Sequence, residues 1–284
     1  MGALIWLASY PKSGNTWVRA FLHNFLRDTG RPADINELDK FCLGESHAAW
    51  YQRHLDRPLI EASEEDIARI RPLGQADFTQ AFPDSVFVKT HNYLGEWHGV
   101  PLHNMDVTTG AIYVVRNPLD VVLSMTHHFN LDIDGAIDRL GNEGSSTEAT
   151  LEHIPEMHAS WSTHVKSWTA HTHAGLLVMR YEDMLEKPRK HFRRLVSFLG
   201  INPPKARLER AIHHSSFKSL QKQEKEHSFK ERSEYAEAFF RSGTHSQWRK
   251  HLSKAQVQRI VSEHYEQMKR FGYIPRGYEN VSSA

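Results

Sequence analysis

The stretch "ASYPKSGNTW", residues 8–17, decides the fold. The run "LIWLAS" (4–9) is apolar and closed by a Pro and Gly turn, so it reads as a short buried strand. "NTWVRAFLHNFLRDTG" (15–30) follows, with Trp17, Phe21 and Phe25, joined by Val18 and Leu22, at helical spacing and Gly30 as a stop. A strand, a tight turn at Gly14 and a helix opening near Thr16 aim several backbone N–H groups at one spot. That spot favours an anion with tetrahedral oxygens. Laid over the phosphate-loop pattern G-x-x-x-x-G-K-[ST], the register is Ser9, Gly14, Asn15, Thr16, and the lysine slot holds Asn15. A nucleoside triphosphatase would lack its clamp on the β- and γ-phosphates. The charge sits instead at Lys12, on the entering side of the turn, where it can neutralise a departing oxygen. The plainer alternative is a surface lysine in a loop.

Working outward, "SVFVKT" (85–90), "AIYVVR" (111–116) and "GLLVMR" (175–180) read as further short strands. Helical patterns run through "NPLDVVLSMTHHF" (117–129), with Pro at its start, and "KPRKHFRRLVSFLG" (187–200), with Phe192, Leu195, Val196 and Leu199 on one face. "SKAQVQRIVSEHYEQMKRFG" (253–272) repeats the pattern with Val257, Ile260, Val261 and Met268. Strands alternating with helices predict an α/β fold of the P-loop type: a three-layer sandwich with a mainly parallel central sheet, in a single domain over 1–284. Ligands of such sheets bind beyond the carboxyl ends of the strands. Residues 31–84 and 130–160 are less regular and are expected to build an acceptor pocket and its lids. The charged segment 221–237 is either a mobile flap or an exposed helix.

Three further segments carry candidate chemistry. In "YVVRNPLDVVLS" (113–124), Arg116 at a strand end can fork onto a phosphate, and Ser124, eight positions later on a helix, can donate to it. The competing reading pairs Arg116 with Asp120. "FVKTHNYLG" (87–95) puts Lys89 and His91 at a strand exit, and "FRSGTHSQWRKHL" (240–252) carries Arg241, Ser242 and Gly243.

Together these segments resemble the sulfotransferases that use 3′-phosphoadenosine 5′-phosphosulfate (PAPS). "YPKSGNTW" is similar to the family's Y-P-K-S-G-T-T-W loop, with Asn15 for a Thr, which implies that Lys12, Ser13, Gly14, Asn15, Thr16 and Trp17 surround the 5′-phosphosulfate. Arg116 and Ser124 fall in its 3′-phosphate segment, and "KTH" resembles its catalytic-histidine segment. His91 is then the general base, a role suited to imidazole, with Lys89 helping to orient the sulfuryl group. "WSTHVKSW" followed by "RYEDM" places Tyr181 at the adenine, and "SSF" (215–217) adds Ser215 and Phe217 there. Arg241, Ser242 and Gly243 match an R-K-G block that reaches the 3′-phosphate; Ser242 replaces its Lys, Ser246 stands at its second Gly, and Arg249 is a basic residue that could substitute. The resemblance spans about residues 4–252 and implies sulfuryl transfer from PAPS to a hydroxyl or amine, leaving adenosine 3′,5′-bisphosphate (PAP).

The rival readings are an ATP-dependent small-molecule kinase and a non-catalytic nucleotide-binding module. Net charge of +1 offers no general attraction to nucleic acid. A lone Cys42 and no apolar run near ~20 residues fit a cytoplasmic protein without stable membrane insertion. The His127-His128, His171-x-His173 and His213-His214 pairs do not assemble a familiar metal set, so no metal is expected; His127 and His128 could line the acceptor pocket. Trp50, Tyr51, Phe78, Phe82, Trp97 and Phe129 suggest a partly aromatic acceptor pocket, without choosing among small-molecule, lipid or glycan acceptors. No K-x-x-x-T-V-x-x-x-E segment, the family's dimer element, is seen near residue 284, leaving oligomeric state open.

Overall fold

The computed structural model describes residues 2–281. Its strands are β1 (Leu4–Ser9), β2 (Cys42–Gly44), β3 (Val86–Thr90), β4 (Glu96–Trp97), β5 (Val100–Pro101), β6 (Thr108–Val115) and β7 (Leu176–Arg180). Five of them form one sheet in the order β2-β3-β1-β6-β7, parallel at every pairing, while β4 and β5 make a small antiparallel ribbon. All six residues of β1 are buried, as expected of a central strand covered on both faces.

Alternation along β1 splits the interior in two. Leu4, Trp6 and Ala8 enter one core with Val86, Val88, Tyr113 and Val115. Helices Glu64–Phe78, Pro118–Phe129, Trp161–Thr169 and Lys254–Arg270 cover that face with residues such as Ile70, Val122, Trp161 and Ile260. Ile5 and Leu7 enter the other core with Phe87, Ile112, Val114 and Met179. Helices Asn15–Arg27, Pro188–Phe198 and Lys205–His214 close it with Phe21, Phe25, Phe192 and Leu208. This is the three-layer α/β arrangement expected from the strand and helix pattern.

Three local differences have physical causes. The first helix ends at Arg27 because Asp28 takes a left-handed conformation (φ 47°) and donates its N–H to the Asn24 carbonyl, ahead of Gly30. Strand β6 starts at Thr108, whose hydroxyl accepts from Trp6 Nε1 at 2.8 Å, rather than at 111. The irregular stretch 31–84 contains the helix Glu64–Phe78, opened by a capping box between Ser63 and Asp66 that is legible as S-x-x-D.

Candidate active site

Strand β1 runs into the anion loop at the carboxyl edge of the sheet. Lys12 (φ 65°) and Gly14 (φ 106°) both lie in the left-handed region on either side of Ser13, a curl that turns backbone N–H groups inward. The N–H groups of Gly14, Asn15 and Thr16 have no protein partner among the described residues, and neither does the buried Ser13 hydroxyl. Val18 and Trp17 donate to the Gly14 carbonyl and start the helix there. Gly14 is required twice over: a Cβ would strain its backbone and would sit 2.6 Å from Tyr181 Cδ2. Gly14→Ala is expected to lower stability by about 1–3 kcal/mol, read as a drop in Tm, and to weaken anion binding in a titration.

Asn15 directs its side-chain amide toward β1. Its amide donates to the Leu7 carbonyl at 2.7 Å, stitching the helix start to β1. The Walker lysine position is thus occupied by a buried structural amide. Lys12 holds the charge, with Nζ 4.2 Å from the Phe239 ring centroid. Burial, then the neighbouring Arg116, Arg241 and Lys89, lowers its pKa to about 7.

Arg116, at the end of β6, donates to the Lys12 carbonyl at 2.9 Å and stacks 4.5 Å over Tyr181. Asp120 does not pair with it. The Asp120 carboxylate accepts from the N–H groups of Ser246 (2.6 Å) and Trp248 (3.1 Å), docking the C-terminal basic block onto the helix that carries Ser124. Ser246 takes φ 63°, a left-handed conformation that glycine adopts without strain. Arg241 donates to the Leu123 carbonyl at 3.3 Å and faces the same space, while Gly243 packs so closely on Phe217 that a Cβ would fall 2.2 Å from the ring. Trp17 meets Tyr181 edge-on at 5.7 Å.

Lys12, Gly14, Trp17, Arg116, Ser124, Tyr181, Arg241 and Gly243 line one cavity of about 630 Å³, which also takes in Lys89 and His91. His91 Nδ1–H donates to the Ser9 carbonyl at 2.7 Å, so Nε2 carries the lone pair. Burial, and after it Lys89, drives the His91 pKa well below the usual imidazole value. His164 fixes the same turn from behind: its Nε2–H donates to the His91 carbonyl at 3.1 Å, and its Nδ1 accepts from the Tyr113 hydroxyl at 2.9 Å. Trp168 Nε1 donates to the Asn92 carbonyl at 3.0 Å.

Several sequence expectations are displaced. Ser215 is fully buried, donates to the Ala211 carbonyl at 2.8 Å and does not line the cavity, because its side chain closes its own helix end. Ser13 lies buried under the loop rather than on the cavity wall. Arg249 stacks 4.5 Å over Trp248, outside this cavity, and does not take the place of the lysine replaced by Ser242. His128 lines the cavity and His127 does not. Of the proposed pocket aromatics only Phe129 lines it; Trp50, Tyr51, Phe78, Phe82 and Trp97 pack into the core.

Other lining residues had no sequence signal. Glu156 and His158 come from the loop after the helix Ile133–Gly141. Glu231 pairs through two 2.9 Å bonds with the buried Arg19 and anchors the charged segment. That segment is helical as far as His227, then passes over the cavity with Lys230 bonded to Asp39 at 2.6 Å. No group of three or more His, Cys, Asp or Glu is placed to hold a metal among the described residues, and no helix there is long and apolar enough to cross a membrane.

Known proteins resemble this chain over most of its length. Sulfotransferase 1A1 of Rattus norvegicus is 26% identical over 271 residues, covering 92% of this chain and 83% of that protein. The Mus musculus protein is 27% identical over 269 residues, covering 92% and 81%. Two solved structures share the fold: mouse sulfotransferase SULT7A1 complexed with PAP (TM-score 0.58, 18% identity, 94% and 85% covered) and retinol dehydratase in complex with androsterone and inactive cofactor PAP (0.65, 20%, 94% and 80%). The sulfotransferase domain model matches residues 4–272, spanning the loop, the Arg116 segment and the basic block, and the chain therefore belongs to the sulfotransferase domain family.

Proposed function

We propose that the protein transfers a sulfuryl group from PAPS to the hydroxyl or amine of a small-molecule acceptor, with His91 as general base. One observation carries the reading: the 2.7 Å bond from His91 Nδ1 to the Ser9 carbonyl ties the base to the residue that leads into the anion loop. With Nδ1 engaged there, Nε2 of this cavity-lining histidine is the nitrogen left to take a proton. The unpartnered N–H groups of Gly14, Asn15 and Thr16 suit the 5′-phosphate. Trp17, Tyr181 and Phe217 suit the adenine, and Arg116, Ser124 and Arg241 suit the 3′-phosphate, fixing the line of attack.

In the reaction, the acceptor oxygen forms a bond to sulfur as the bond from sulfur to the 5′-phosphate oxygen breaks. His91 Nε2 takes the acceptor proton, and Lys12 with the loop amides stabilises the oxygen that departs. The products are the sulfated acceptor and PAP.

The kinase alternative is disfavoured because Asn15 is turned into β1 and leaves no cation in the Walker position. Calorimetric titration is expected to give tighter binding of PAP than of ATP; the reverse order overturns the donor assignment. Arg116→Lys removes the planar fork while keeping the charge. Its Kd for PAP is expected to rise about 10- to 100-fold, the equivalent of ~1.5–3 kcal/mol for hydrogen bonds to a charged group.

A further inference from the structure

The acceptor half of the cavity is walled by hydrogen-bonding groups. Ser46, His128, Thr147, Glu156 and His158 line it beside Lys89, with Phe129 and Phe239 as aromatic faces of the same cavity. The wall is built, not incidental. Thr147 and Glu156 pair in both directions, Glu156 N–H to Thr147 Oγ1 at 2.8 Å and Thr147 N–H to the Glu156 carbonyl at 3.0 Å. Met157, between Glu156 and His158, donates to Asn92 Oδ1 at 2.6 Å, one residue beyond the base.

One of these groups, His158, is left unsatisfied, and Glu156 stands beside it. His158 is 2% exposed, and its Nε2 has no hydrogen-bond partner among the described residues. Glu156 Oε2 lies 3.9 Å from that nitrogen, too far for a hydrogen bond. Burial opposes ionisation of Glu156, but Lys89 and the neighbouring imidazoles outweigh it and hold the carboxyl far below its usual range. A charged acceptor-only oxygen and an imidazole nitrogen at this spacing are satisfied by a group that both donates and accepts, as a hydroxyl does.

A phenol or sterol brings one hydroxyl, and the reaction consumes it at His91. Seated in this wall, such a molecule would displace water and leave His158 unpaired, at roughly 1–3 kcal/mol for a buried group. The ring centroids of His91 and His158 are 6.5 Å apart, a span that one sugar ring with its hydroxyls covers. Resting on the sulfuryl-transfer reading, we propose that the acceptor is a polyhydroxylated molecule of the saccharide class: one hydroxyl meets His91 Nε2, and a neighbouring hydroxyl bridges Glu156 and His158.

The test is a PAPS-dependent assay on methyl glucosides and glucosamine against 2-naphthol and a sterol. The saccharides are expected to exceed 2-naphthol in kcat/KM by at least ~100-fold, since a site built to hydrogen-bond a hydroxyl rejects molecules lacking it. Glu156→Gln is expected to cost ~10-fold or more in saccharide kcat/KM, mainly through KM, with the Kd for PAP unchanged as the check on folding. Preference for 2-naphthol or the sterol, no sulfation of any saccharide, or an unaltered saccharide KM in Glu156→Gln overturns the proposal. Failure of the same preparation to bind PAP overturns the sulfuryl-transfer reading beneath it; PAP binding with saccharides refused overturns the acceptor class alone.

Discussion

Lys12→Ala lowers kcat by at least ~100-fold, the scale of losing one preorganised donor to a departing oxyanion. The loop invests in this residue. Its backbone is held in the left-handed region, at φ 65°, a conformation that costs a non-glycine residue of order 1 kcal/mol or more. Burial and the cations Arg116, Arg241 and Lys89 bring its pKa to about 7, so near neutrality the ammonium is easily lost. Negative charge arriving in the loop reverses that balance and raises the pKa. At pH 8, then, Lys12 is mostly neutral in the free protein and protonated in the complex, and PAP binding takes up close to one proton. Affinity for PAP is highest below pH 7 and falls above it, by up to ~10-fold per pH unit until the pKa of the complex is reached. Calorimetry at pH 8 in two buffers of different ionisation enthalpy reads the proton directly. A buffer-independent heat, or near wild-type turnover in the Ala variant, removes Lys12 from this role.

How far the sequence could be read depends on how local each signal is. The loop was legible because strand, turn glycine and helix start lie within fourteen consecutive residues, and their geometry follows from backbone preferences alone. Arg116 and Lys89 were legible because they sit at or next to strand ends, where a parallel sheet gathers its ligands. Strand β2, only Cys42–Gly44, was not: three residues carry no period, and its place at the sheet edge comes from pairing with Phe87–Lys89. The side of the cavity lined by Glu156 and His158 was missed for a related reason. Glu156 and His158 reach the cavity because their loop hangs on Asn92, and Asn92 in turn donates to Glu45 at 2.6 Å. Glu45 also takes Arg71 and Gln75 in a buried network, and its N–H donates to the Lys89 carbonyl at 2.9 Å. That network joins four segments far apart in the chain and leaves no spacing to detect. The aromatic residues misled because hydrophobicity marks burial without saying which side of a wall it faces: Trp50 and Tyr51 pack edge-on against Phe78, in the core.

His91→Ala is expected to cost ~100- to 10,000-fold in kcat with PAP affinity kept, since proton transfer and donor binding are carried by different residues. The imidazole is ready to act as a base before substrate arrives. Its Nδ1–H is committed to the Ser9 carbonyl, and its depressed pKa leaves Nε2 unprotonated across neutral pH. The sign follows: kcat/KM rises with pH through the free-enzyme pKa of His91, below 6.5, and then levels. It falls again as Lys12 titrates near 7, which gives a bell whose acidic limb lies well below its basic one. In His91→Ala the acidic limb disappears while the basic limb stays; in Lys12→Ala the basic limb disappears while the acidic one stays. Each variant thus removes the limb assigned to its own residue. An acidic limb that persists in His91→Ala would give the proton to another group, and Glu156, ionised beside Lys89 on the same wall, would be the first to test.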